Sequence, residues 1–397
     1  MSVPSVTPAA ASSAAISFHA RRPEFRRLVV RGALLELVTV GFYRFWLATD
    51  MRRHLWSNTA VDGDTLEYTG TAKELLFGFL FAVAILAPIY LVYFLVGLEA
   101  ERMRAFASAP LAIFFYLFTQ FAIYRARRYR LTRTIWRGVR FWMAGSGWSY
   151  AWRVGLWTLL VLFSLGFALP WRQAALERFK MRHTSYGNLR GEFAGRGSDF
   201  FKRGWSLWLA SWFLLVFPFL VALTKIKSLA VISFFVQPIL FPFIYAMYKA
   251  TEWRWWVSGI RFGGLSFESH MNRGELIGIY WKVVGWLLLI TVVLLVWVGV
   301  ASGIAYAVSD AVGTPAHKTE IVFQHYPVLI AIGFGYVVCV LAFWAIARIY
   351  LIHDIWRRVA ESTTAHNIGA ADNVIAAGEL VGALGEGFAD SLDVFGF

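Results

Sequence analysis

The chain has 397 residues, 58% of them hydrophobic and only 16% charged, with a net charge of +14. Soluble domains run nearer half apolar and a quarter charged, so the balance excludes an ordinary water-soluble globular protein. The basic excess does not point to nucleic acid, since no binding motif accompanies it and positive residues on one bilayer face set orientation and meet anionic lipid.

In chain order, residues 1–17 read as a disordered cytosolic lead, with no Lys or Arg before Arg21 and no long apolar core of a signal peptide. Residues 18–358 form a membrane domain. It contains six runs free of Asp, Glu, Lys and Arg: Leu75–Leu98, Ala105–Tyr124, Trp205–Thr224, Ser228–Tyr248, Val283–Ser309 and Ile321–Ala347. Each is long enough to cross ~30 Å of hydrocarbon as a helix of roughly 20 residues.

Between these runs one pattern returns. A basic, aromatic helix leaves the membrane and leads to a short glycine-marked stretch of alternating residues. Its copies are residues 52–70, 128–148, 176–197 and 252–271, with a worn fifth, "IHDIWRRVAEST", after the last run. Trp and Tyr favour the headgroup level, and Arg stems can lie on hydrocarbon while their charges reach phosphate. "DGDTLEYTG" and "FGGLSFESH" alternate apolar with polar residues behind glycine, the pattern of a short strand or hairpin.

Two shorter apolar segments, Gly32–Tyr43 and Val154–Trp171, precede block copies. Counted as full spans they give eight crossings and place the first two blocks outside, along with Arg125, Arg127, Arg128, Arg130, Arg133, Arg137 and Arg140. Counted as re-entrant hairpins, bent at Gly41-Phe42 and Gly166-Phe167 and packed inside the bundle, they give six crossings with every block inside. The positive-inside rule favours the second arrangement. The expected fold is therefore an all-α polytopic membrane protein with about six transmembrane helices, two re-entrant or interfacial helical hairpins and short cytosolic β-hairpin-like elements. Eight full transmembrane helices is the alternative. Both termini are expected in the cytoplasm.

Residues 359–397 form an acidic, glycine-containing tail without Lys or Arg. Val374, Val381 and Phe388 recur every seven residues, as in an amphipathic helix that docks, whereas Gly378, Gly382, Gly385 and Gly387 favour a solvated tail.

Several stretches carry a family resemblance: "LVTVGFYRFWLATDMRRHLWSNTAVDGDTLEYTG", "YRLTRTIWRGVRFWMAGSGWSYAWR", "SLGFALPWRQAALERFKMRHT", "SGIRFGGLSFESHMNRGEL" and the ending "GEGFADSLDVFGF". In this order they resemble the YjgN-like family of bacterial inner-membrane proteins, a domain of unknown function. The first bend departs from the family's usual Pro-Trp with Arg44-Phe45-Trp46, while the second keeps Pro170-Trp171. The resemblance implies a multi-pass inner-membrane location and brings no catalytic residue or cofactor.

No catalytic constellation, phosphate loop or zinc spacing is present, so no enzyme, metal or cofactor is expected. The lone Cys339 cannot form an intrachain disulfide. His54, His183 and His353 near membrane exits read as interfacial, partly solvated side chains. Polar residues at membrane depth are the stronger signal, because charge in hydrocarbon costs roughly 3 kcal/mol. Glu36, Arg44, Gln120, Gln237, Lys282 and Arg348 are the candidates for a polar path or a structural clamp. The seven arginines from Arg125 to Arg140 are candidates for lipid-headgroup contact, making anionic membrane lipids the first expected partner, with a homo-oligomer or membrane-complex partner second. Transport or channelling of a solute or lipid is the leading expectation. A non-transporting scaffold or partner-binding subunit is its rival.

Overall fold

The computed structural model describes residues 13–102, 108–224, 226–312 and 326–378. Pairs of helices alternate with pairs of short strands. β1 (Ser13–Phe18), α1 (Arg22–Val38) and α2 (Arg44–Ser57) lead to β2 (Thr59–Val61), β3 (Asp64–Thr65) and β4 (Glu67–Tyr68). α3 (Ala72–Arg102) and α4 (Ser108–Thr132) precede β5 (Thr134–Trp136) and β6 (Val139–Met143). α5 (Gly147–Phe163) and α6 (Leu169–Arg182) precede β7 (Thr184–Tyr186) and β8 (Leu189–Phe193). α7 (Gly197–Thr224) and α8 (Lys227–Gly259) precede β9 (Ile260–Phe262) and β10 (Leu265–Ser269). α9 (Ile277–Val312) and α10 (Tyr326–Ala347) follow, and a π-helical turn, Arg348–Asp354, joins α10 to α11 (Ile355–Glu361). β11 (Thr363–His366) comes last, before a 3-10 turn at Ile368–Ala371.

The expectation of a plainly all-α protein with isolated β-hairpins is overturned by the sheet. All eleven strands join in the order β3-β2-β1-β11-β10-β9-β8-β7-β6-β5-β4, every neighbour antiparallel. Its two outermost strands, β3 and β4, are separated by Leu66 alone, whose N–H donates to Thr59 O at 3.0 Å. The sheet therefore curls into a nearly closed barrel. Closure satisfies the edges that isolated hairpins would leave unpaired.

Local chemistry fixes where helix gives way to strand. Thr59, Thr134, Thr184 and Thr363 open their strands, and each hydroxyl donates to the carbonyl four residues earlier, at 2.7, 2.9, 2.9 and 2.6 Å. That bond satisfies a terminal helix carbonyl, while the β-branched residue suits the strand that begins there. At the far end, Asp62-Gly63 and Arg137-Gly138 turn their hairpins with both residues at positive φ, as two-residue hairpin loops require.

Inward side chains line the barrel: Val61, Trp136, Tyr186, Phe262, Leu265 and Ala365 are buried in one cluster with Phe193. The turn at Ile368–Ala371 covers the hairpin-tip end, with Ile368 and Ala371 buried and Val374 packed against the same cluster. Asn188 clasps this segment through its N–H to Ile375 O and its Oδ1 to Ile375 N, both at 3.1 Å. Gly378 lies so close to Trp142 that an added Cβ would meet the indole at 2.4 Å.

Of the expected lead, 1–17, residues 13–17 lie in β1, and of the expected tail, 359–397, Thr363–His366 form β11 and the chain up to Gly378 covers the barrel. Val374 docks without an amphipathic helix, since 374–378 is not helical; Val381 and Phe388 lie outside the described residues.

Among the described residues, five helical segments are long and apolar enough to cross a membrane: Ala72–Gly97, Gly197–Thr224, Val231–Gly259, Ile277–Val308 and Tyr326–Glu361. α4, arginine-rich in its last turns, brings the chain back from α3 to β5. The alternative of eight full spans fails on topology. Strands on both sides of α1–α2 and of α5–α6 belong to the same sheet, so both pairs must return to the side they left.

α1 and α5, each 17 residues, reach about 25 Å, and their partners of 14 residues reach less. Both pairs bend at a left-handed step, Val40-Gly41 (φ 52° and 87°) and Leu165-Gly166 (φ 52° and 90°). The expectation that these bends pack inside the bundle does not hold, for Val40 is 88% exposed and Phe163 82%. The reason is local satisfaction: Gly41 N donates to Glu36 O, and Gly166 N to Val161 O, each at 2.7 Å, as in a Schellman closure. Exposed apolar tips with paired backbones suit immersion in lipid. The first pair is held at its base by Phe25, Val29, Leu47 and Leu55 packing on Ile349 and Ile352. Burying each such side chain contributes about 1.5–3 kcal/mol. Gly32 permits the close approach, as a Cβ there would meet Leu47 at 2.4 Å.

Candidate functional site

Of the six membrane-depth candidates, the structure joins two. Arg348 donates to both oxygens of Glu36, at 3.0 and 2.9 Å, with side chains 10% and 4% exposed. Arg44 lies within the field of both and places its guanidinium over Phe45 and Phe79. The pair ties α1 to the π-helical turn, a clamp between the first hairpin and the last long helix. The others do not assemble into a path. Gln237 donates to Leu214 O at 2.8 Å and links α8 to α7, Gln120 is half-buried on α4, and Lys282 is exposed on α9.

The seven arginines expected at headgroups also part company. Arg133 is buried and forks onto Glu74 at 3.1 and 3.0 Å, while Tyr129 donates to the same carboxylate at 2.7 Å. Arg137 stands at a hairpin tip, at the end of the barrel away from the helices. It binds Asp62 at 2.8 Å, Asp64 at 2.6 Å and Asp372 at 2.9 Å. Burial works against its charge, but the three carboxylates prevail and hold its pKa above the ordinary arginine value. Arg130 is buried, Arg125 lies over Phe121, Arg128 and Arg140 are half-buried, and Arg127 faces Glu177. One sequence run thus serves several separate structural tasks.

His353 is fully buried rather than partly solvated, shares a 2.9 Å hydrogen bond with Asp354, and packs on Phe25 at 4.9 Å between ring centroids. Phe25 also touches His54 at 5.7 Å. Burial, reinforced by His353, holds the His54 pKa below its ordinary value.

The feature that stands out is the barrel's interior. An apolar cavity of about 340 Å³ lies between the strands and the last turns of α2, α4, α8 and α11. Phe141, Phe262, Leu265 and Phe267 line it from the barrel wall, and Trp56, Trp256, Trp356 and Ala360 from the helix ends. Two indole N–H groups are pinned at its rim: Trp56 donates to Thr134 Oγ1 at 3.0 Å and Trp356 to Thr59 Oγ1 at 2.9 Å. Each bond ties a helix end to a strand of the next hairpin. Tyr186 donates to Trp136 O at 2.9 Å, and burial pushes its pKa up to about 12, so it stays neutral. The volume falls in the range of small-ligand sites, about 300–1,000 Å³. Sequence reading missed this cavity because its walls come from strands of three to six residues spread across the chain. The only available signal was the apolar residue alternating behind each glycine.

Among known proteins, the family model described as a bacterial protein of unknown function, DUF898, matches residues 13–391. The matched span takes in every strand of the barrel. No curated protein and no solved structure matches the chain.

Proposed function

The chain belongs to the DUF898 family of bacterial proteins, and we propose that it is an inner-membrane protein that takes the acyl chain of a lipid into its barrel. The observation that carries this reading is the cavity of about 340 Å³, lined almost wholly by apolar groups and bounded by the last turns of α2, α4, α8 and α11. A hydrocarbon chain entering it would leave one apolar environment for another while its polar end stays near the interface. Of the transport options, lipid handling therefore has more support than a solute channel. Gln120, Gln237 and Lys282 stand apart, and the pair Glu36–Arg348 satisfies itself. The weight of arginine in the helix ends supports a barrel on the cytoplasmic side, with both chain termini there.

A scaffold role is the second reading. It is favoured by the long helices, whose spanning windows are only 6–17% buried and leave broad faces for lipid or a membrane partner.

Filling the cavity separates the two. Ala360 lines it and is 7% exposed, so Ala360→Trp should occupy the space a chain would take. In lipid nanodiscs, the wild type is expected to bind a pyrene-labelled fatty acid saturably, and the variant at least tenfold more weakly with unchanged elution and circular dichroism. Equal binding by both would overturn the barrel reading.

A further inference from the structure

A second cavity, of about 220 Å³, lies where α4, α6 and α8 meet. Its wall carries Arg127, Gln173, Glu177, Lys180, Lys249 and Glu252: three cations against two carboxylates, an excess of one positive charge. Both carboxylates are already engaged. Glu177 pairs with Lys180 and accepts from Trp256 Nε1 at 2.9 Å; Glu252 pairs with Lys249 at 2.7 Å and accepts from Gln173 at 3.4 Å. Burial opposes charge on Glu177, yet Lys180 and Arg127 prevail and keep its pKa below the usual carboxylate value.

Arg127 is the cation left over. Among the described residues, its nearest carboxylate oxygen, on Glu177, is 3.9 Å away, and the weak acceptor Met181 Sδ lies at 3.6 Å. Its Nε is buried with no hydrogen-bond partner among them. A guanidinium presents five donors in a rigid fork that suits two oxygens of one anion. Taken out of water, such a group is stabilised only by a partner of opposite charge. Glu177, shared with Lys180 and Trp256, supplies one only at 3.9 Å, beyond hydrogen-bond reach of the guanidinium.

We infer that this chamber is an oxyanion site, in which Arg127 takes a carboxylate or phosphate group between Lys180 and Lys249. Trp253 and Trp256 line this chamber and the apolar barrel cavity alike. On the reading that the barrel holds an acyl chain, the chamber receives the anionic head of the same molecule. Without that reading it takes a free anion of the same chemistry.

The test compares ligands of equal chain and different head on the full-length protein in nanodiscs of neutral lipid: palmitate, hexadecyl phosphate, hexadecanol and a hexadecyl ammonium, with inorganic phosphate as a chainless probe. The two anionic amphiphiles are expected to bind at least tenfold more tightly than the alcohol. Arg127→Met should erase that preference, and Arg127→Lys should keep part of it, having charge without the fork. Glu252→Gln keeps the shape of the wall while raising its net charge, so it should strengthen anion binding and guards against an Arg127 variant that fails to assemble. Inorganic phosphate binding alone, lost in Arg127→Met, would support the site with a free ion as occupant and remove the acyl-chain reading. Amphiphiles that bind regardless of head charge, unaffected by either substitution, would overturn the oxyanion site and leave the acyl-chain reading standing.

Discussion

Replacing Glu36 by Gln breaks a two-point ion pair whose partners are 312 positions apart. Both bonds, at 3.0 and 2.9 Å, join side chains almost removed from solvent. A hydrogen bond to a charged group contributes about 1.5–3 kcal/mol, and severing a buried pair costs about 3–5 kcal/mol because the surviving charge loses its counter-ion. The loss should be unequal between the two partners. Without Glu36, the cations Arg44 and Arg348 face one another, whereas Arg348→Met leaves Glu36 beside Arg44. Glu36→Gln is therefore expected to cost about 3–5 kcal/mol and Arg348→Met less. The double variant Glu36→Leu, Arg348→Met should recover much of the loss, since hydrophobic replacement of a buried pair is often near neutral. Denaturant unfolding in micelles, followed by tryptophan fluorescence and circular dichroism, measures all three. Single variants costing under about 1 kcal/mol, the value of an exposed pair, would refute the clamp.

Three further outcomes follow from the geometry. In a Cys339→Ser background, single cysteines at Asp62, Asn188 and Glu268 should react from the same side of the membrane, since all three lie on one sheet; labelling of any one from the opposite side would break the barrel. His54 has a folded pKa below 6.5, so as pH falls through that value the unfolded chain gains a proton that the folded chain lacks. Melting temperature should accordingly drop between pH 7 and 5, and His54→Gln should flatten the slope; an unaltered slope counts against the buried imidazole. Arg137→Ala removes three ion pairs to half-exposed aspartates, each contributing about 0.2–1 kcal/mol. Proteolysis within residues 367–378 should become severalfold faster while the membrane helices stay protected, and an unchanged cleavage rate argues against the clasp.

The sequence marks the helix ends well because the signals there are local. Gly63, Gly138 and Gly187 announce turns, and Gly41-Phe42 and Gly166-Phe167 announce the bends of the two short pairs. That the four hairpin turns, the fourth at Gly263-Gly264, belong to a single ring is not a local property. β2, β5, β7 and β9 have three residues each, too few for an alternation to declare a partner. β1 comes from the Ser- and Ala-rich lead, which carries little strand signal before Ile16. Charge in the sequence likewise signals cost without naming a partner. Glu36 and Arg348 each look anomalous, but only the packing of the first hairpin against the last helix shows that they meet. Arg133 and Arg137, four residues apart, read alike until Glu74 and the aspartates at the tips assign them to opposite ends of the barrel.

β11 sits between β1 and β10, so the earliest strand to leave the ribosome waits for the latest before its second side is covered. Until the whole polypeptide has been threaded into the bilayer, the ring keeps a vacant slot flanked by bare amide groups, an invitation to any stray extended segment. Assembly of the ring is thus all-or-nothing: a product cut short before Thr363 has all five of the described apolar spans in place and still no finished vessel.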